Sequence, residues 1–88
     1  MDWTGPSERI ARCVEEIEDI ALAISDEVAQ HEATRAALAA CFRDLEKFSY
    51  EPSGFQIDLR RALTERALAV AGANPRLSLA LERAVDYV

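Results

Sequence analysis

Three glycines, three prolines and two cysteines are all this 88-residue chain has of the residues that interrupt or staple a fold. Two cysteines are too few for a disulfide framework, which excludes the small secreted scaffolds that depend on one. A single histidine and aromatics at 7% leave no histidine-rich ligand set. No apolar run approaches the roughly 18 residues that a membrane span requires. The opening "MDWTGPSERI" has neither a basic start nor an apolar core, so it does not read as a signal peptide. With both cysteines on apolar seams as buried free thiols, the expected setting is the reducing cytoplasm. No glycine-rich phosphate loop, nucleophile elbow or triad-like set is present. Basic charge is also short: ten Lys and Arg stand against sixteen acids, a net of −6. A direct nucleic-acid binder carries a basic face, so that class is disfavoured.

What is abundant is Ala, Leu, Glu and Arg, the strong helix formers. Half of the residues are apolar and 30% are charged, a globular composition sized for one domain, 1–88. From Ser7 to Glu51 there is no Gly or Pro, and a heptad register runs through the whole span. One column reads Ile10, Ile17, Ile24, His31, Leu38, Leu45; its partner reads Cys13, Ile20, Glu27, Thr34, Cys41, Phe48; a flanking column adds Val14, Ala21, Val28, Arg35 and Phe42. The phase never slips, although in "DEVAQHEAT" the seam turns polar at Glu27, His31 and Thr34. Pro6 fits a first helical turn, with Thr4 or Ser7 as its cap. The helix ends near "SYEPSG", where Pro52 disfavours helix at Glu51. Ser53 and Gln56 form a capping-box pattern that opens a second helix, about 54–71, with Phe55, Leu59, Ala62, Leu63, Ala67 and Val70 inward. "AGANPRL" then offers Gly72 for a left-handed turn, Asn74 as cap and Pro75 as first residue of a last helix, about 75–87. Its inward set is Leu77, Ala80, Leu81, Ala84, Val85 and Val88.

The expected fold is all-α: a long N-terminal helix followed by two shorter antiparallel helices in a bundle. A continuous helix over 7–50 would be about 65 Å long. A domain of this size has a radius of gyration near 12 Å, so such a helix needs a second copy to cover it, and a homodimer is expected. The alternative breaks the helix near 26–32 and gives a four-helix monomer. Unbroken phase favours continuity. Cys13 and Cys41 lie four heptads apart, equidistant from Glu27. An antiparallel crossing there brings them together between two chains, and a hairpin turning there brings them together within one.

A long helix followed by two shorter ones is similar in topology to the intertwined chorismate mutase dimer. That resemblance implies a dianionic substrate held by Arg and Lys, some of them on the long helix. Here the corresponding half is acidic, and a dicarboxylate would be repelled, so the activity is not expected.

Residues 1–32 hold nine acids against Arg9 and Arg12, net −7, whereas residues 33–88 come to net +1. Asymmetry of this kind points to a surface presented to a basic partner. The candidate partner-binding residues are Glu8, Glu15, Glu16, Asp19 and Asp26, with Trp3 as an aromatic anchor. The expected function is a non-enzymatic protein–protein interaction module, a regulatory, inhibitory or assembly subunit whose partner has a basic surface. One alternative is an inhibitor of phage or mobile-element type that mimics nucleic-acid charge and blocks a nucleic-acid-binding protein. Another is a metal-binding or enzymatic bundle using Glu27 and His31, four residues apart on one face. Helical metal sites need three or four ligands, and diiron bundles use Glu-x-x-His, one residue shorter, so no metal and no cofactor are expected. Glu27, His31 and Thr34 then read as a polar layer that sets register. "DLRRALTER" carries Arg60, Arg61 and Arg66 among Asp58 and Glu65, a salt-bridged surface or one that meets the acidic first helix. Phe48, Tyr50 and Phe55 read as an aromatic plug at the bend.

Overall fold

Strong helix formers with apolar residues at Ile10, Cys13, Val14, Ile17 and Ala21 make the first helix, α1 (Gly5–Ala23), amphipathic. The structure is a computed structural model describing residues 5–43, 45–48 and 50–88. After α1 come α2 (Glu27–Arg43), a 3₁₀ turn (Leu45–Phe48), α3 (Pro52–Val70) and α4 (Pro75–Val85). No strand occurs among the described residues. The all-α bundle is therefore present. The candidate first cap, Thr4 or Ser7, falls outside the described residues and side chains.

The continuous helix expected over 7–50 does not form. The chain leaves helix at Ile24–Asp26 and turns back, so α1 and α2 are the two arms of a hairpin. Capping chemistry makes the break. The Asp26 carboxylate accepts a hydrogen bond from Ala29 N at 2.9 Å, starting α2. The Gln30 side chain donates to the carbonyls of Ala21 (3.3 Å) and Ile24 (2.8 Å), which α1 leaves open at its end. One short segment thus closes both helices. Asp26→Ala is expected to cost about 1 kcal/mol, lowering Tm by roughly 4–8 °C in a thermal melt.

With the hairpin closed, the radius of gyration is 12.8 Å and the molecule measures 36 × 25 × 20 Å. A helix of about 65 Å has no place in it. The argument for a covering second copy therefore lapses, as does the topological likeness to the intertwined dimer. Thr34, Leu38 and Cys41 of α2 face the same core as Cys13, Val14 and Ile17 of α1. α1 is the central element and packs against α2, α3 and α4.

α3 starts two residues earlier than the capping box implied. Pro52 takes the first turn, Glu51 precedes it without a side-chain cap, and Ser53 lies inside the helix. Phe55, Leu59, Leu63 and Ala67 form its buried seam, with Ala62 and Val70 at the margins. The turn to α4 uses backbone bonds from Ala73 N and Asn74 N to Val70 O, at 3.1 and 2.7 Å. Gly72 does not take the expected left-handed conformation. Asn74 does cap α4, its Oδ1 accepting from Leu77 N at 3.1 Å, and Pro75 sits in the first turn. Leu77, Leu81 and Ala84 fill the core. Buried Ser78 donates to Ala67 O at 2.7 Å, a bond between α4 and α3 worth about 1 kcal/mol net.

At the bend Phe55 is 0% exposed, with Phe42 and Tyr50 edge-on to it at 4.9 and 5.2 Å between ring centres. Phe42 stands where Phe48 was expected; the Phe48 side chain lies outside those described. The Tyr50 hydroxyl donates to Asp58. Burial, then the Asp58 carboxylate, pushes the Tyr50 pKa up to about 12 from an ordinary 10.0. A raised phenol pKa favours the folded state up to the unfolded value and loses that contribution as pH climbs through the folded one. Stability is thus expected to fall between pH 10 and 12 in denaturant titrations, and Tyr50→Phe to flatten that fall.

Candidate partner-binding face

Helical spacing places Glu8, Arg12, Glu15, Glu16 and Asp19 opposite the buried face of α1. Glu15, Glu16 and Asp19 are exposed. Glu15 and Asp19 lie four residues apart, a like-charge spacing that costs a helix about 0.2–0.5 kcal/mol. Glu8 is engaged by Arg12 at 3.2 Å, an exposed pair worth little. Asp26 is exposed but its carboxylate caps α2. Of the six candidate residues, the structure thus brings Glu8, Glu15, Glu16 and Asp19 onto one ridge and puts Asp26 in the turn. Trp3 lies outside the described residues.

Glu18 turns away from the ridge toward α3, where Arg66 Nε reaches Oε1 at 2.6 Å. Arg66 of α3 therefore meets the acidic helix and serves the fold, while Arg60 and Arg61 are exposed. Beside this bridge runs a groove between α1 and α3. Its floor is Ile10, Ala11, Val14, Ala62 and Ala69, and Glu15, Glu18, Glu65 and Arg66 form its sides. Small residues on both helices leave the groove open. It was not legible in the sequence, because it depends on which helix lies beside α1. A second cavity, about 280 Å³, lies between the 24–26 turn and α4, bordered by Leu22, Gln30, Leu79 and Arg83.

The polar trio lies on the first half of α2. Thr34 is buried. The Tyr87 hydroxyl hydrogen-bonds to Nδ1 of His31, with the rings edge-on at 4.5 Å. Glu27 Oε1 meets Arg83 at 2.7 Å. Glu27 takes Arg83 on α4 and His31 takes Tyr87 in the turn just beyond its end, so the two tie α2 to the C-terminal region and do not form a carboxylate–imidazole dyad. Among the described residues, no three His, Cys, Asp or Glu converge as metal ligands, and no helix is long and apolar enough to cross a membrane. Comparison of the chain with known protein families, curated proteins and solved structures finds no match.

Proposed function

We propose that this protein is an interaction module that captures a basic protein surface on the outer face of α1, acting as a regulatory, inhibitory or assembly subunit. The observation that carries this reading is the juxtaposition of two features: the exposed ridge of Glu15, Glu16 and Asp19, and the open apolar groove alongside it, which shares Glu15. Carboxylates steer a basic partner and fix its orientation, while an apolar floor provides the desolvated contact from which most binding energy comes. A basic amphipathic segment fits both, with apolar side chains on Ala11, Val14 and Ala62 and cations over the ridge. The clustered acids oppose one another in the free chain, and a basic partner relieves that repulsion.

The test is capture from an extract of the native source, followed by identification of what is held. The wild-type chain is expected to retain a protein with a basic surface, in a salt-sensitive manner. Glu15→Lys/Glu16→Lys/Asp19→Lys is expected to lose it. The control Glu32→Lys/Glu51→Lys/Glu82→Lys, with the same charge change at exposed positions off α1, is expected to keep it. Equal capture by both variants would refute the reading. Competition by duplex DNA for the captured protein separates the charge-mimic version, in which DNA and α1 exclude each other, from a regulatory one.

A further inference from the structure

Cys13 of α1 and Cys41 of α2 stand together in the core between the arms of the hairpin, near enough that each thiol shifts the other's pKa. Both are buried, Cys41 at 7% exposure, yet both border a cleft of about 180 Å³ whose walls include Arg9, Glu16 and Ala40. Glu16 Oε2 lies 3.9 Å from Cys41 Sγ. The partner-binding reading makes no use of these sulfurs. Two thiols lining one cleft, a carboxylate beside one of them and room for a small molecule are the parts of a dithiol oxidation site. We propose that Cys13 and Cys41 form a reversible disulfide when a hydroperoxide enters this cleft.

The chemistry closes with these groups. Cys41 passes its proton to the Glu16 carboxylate, and its thiolate attacks one peroxide oxygen. The O–O bond breaks, Cys41 becomes a sulfenic acid, and the departing oxygen takes the proton from Glu16, leaving as water or an alcohol. The Cys13 sulfur then attacks the Cys41 sulfur. The S–S bond forms, the S–O bond breaks, and hydroxide leaves as water with the Cys13 proton. Two thiols lose two electrons and the peroxide gains them. The neighbouring Cys13 thiol holds the Cys41 pKa below the usual thiol range; the Cys41 sulfur, followed by burial, holds Cys13 above it. Cys41, whose sulfur lies against Glu16 and which is the less buried of the two, is the attacking thiol, and Cys13 the resolving one. The disulfide links the arms of the hairpin and closes a loop around the 24–26 turn.

The experiment treats the reduced full-length chain with hydrogen peroxide, quenches by thiol alkylation, and reads intact mass and peptide maps. The expected product is a monomer lighter by two hydrogens, with Cys13 linked to Cys41, both thiols returning with dithiothreitol. Because the folded chain holds the sulfurs together, linkage is expected to be roughly ten-fold or more faster than in denaturant, and Glu16→Gln to slow it. Cys13→Ser, checked for fold by circular dichroism, is expected to stop at a dimedone-reactive sulfenic acid on Cys41. The disulfide form is expected to melt roughly 5–10 °C higher. Two free thiols after an excess of peroxide, a link between chains, linkage no faster in the folded state, or a lowered Tm would each overturn the proposal.

Discussion

Phe55→Ala is expected to melt about 15 °C or more below the wild-type chain. Phe55 is 0% exposed and is the ring on which Phe42 and Tyr50 both pack edge-on. Truncating a buried Phe to Ala costs about 3–5 kcal/mol, from lost transfer free energy and the cavity left behind. Each edge-on pair adds roughly 0.5–1.5 kcal/mol. A domain of this length is stable by only about 4–13 kcal/mol, so one side chain carries a large share of the total. The cost is structural as well as local. The cluster joins the end of α2, the segment before α3 and the first turn of α3, and no disulfide secures that corner. Ile57→Ala, two residues along α3 and 58% exposed, is the control. It is expected to change stability by less than about 0.5 kcal/mol. Equal effects at the two positions in chemical denaturation would mean that α3 is rotated from the face assigned here.

The second large effect is expected at Ile17, which is 1% exposed where α1 meets the rest of the core. Ile17→Asp places a carboxylate there without a partner. Burying an unpaired charge costs several kcal/mol, comparable to the whole stability of the domain. The variant is expected to lose its cooperative melting transition and most of its helical circular dichroism. Asp19→Ala, two positions away on the opposite face, is expected to stay within about 0.5 kcal/mol of wild type. That contrast across two residues measures how sharply α1 is divided into a core face and a ridge. A cooperative, wild-type-like melt for Ile17→Asp would contradict the central position of α1.

The inward faces were legible because burial in a helix imposes a spacing that the residue types record. Phe55, Leu59, Leu63 and Ala67 repeat every four residues and are the buried seam of α3. Asn74 and Pro75 marked the start of α4 through local chemistry alone. The same periodicity misled at Ile24–Asp26. Apolar phase reports which columns are buried in each helix, and both arms of the hairpin bury the same columns against one core. A short break that returns the chain in register leaves no trace in the pattern. Its signal lay in capping: Asp26 as an N-cap three residues ahead of Ala29, and Gln30 able to reach back to the end of α1. The acidic ridge was legible because it lies on one helix. The α1–α3 groove, the Glu18–Arg66 bridge and the His31–Tyr87 bond were not. Each joins residues far apart in sequence whose meeting follows from packing.

The central claim is that α1 uses one face to hold the fold and the other to hold a partner. Clustered like charges that serve binding oppose the stability of the free chain, so the claim is tested most directly by measuring both quantities in one variant. Glu15→Gln/Glu16→Gln/Asp19→Asn, which removes the charges without reversing them, is expected to keep or slightly raise Tm, because repulsion along the ridge is relieved. Its affinity for the captured partner, measured at physiological salt, is expected to fall by roughly ten-fold or more. An affinity equal to wild type in a chain that melts normally would contradict the account.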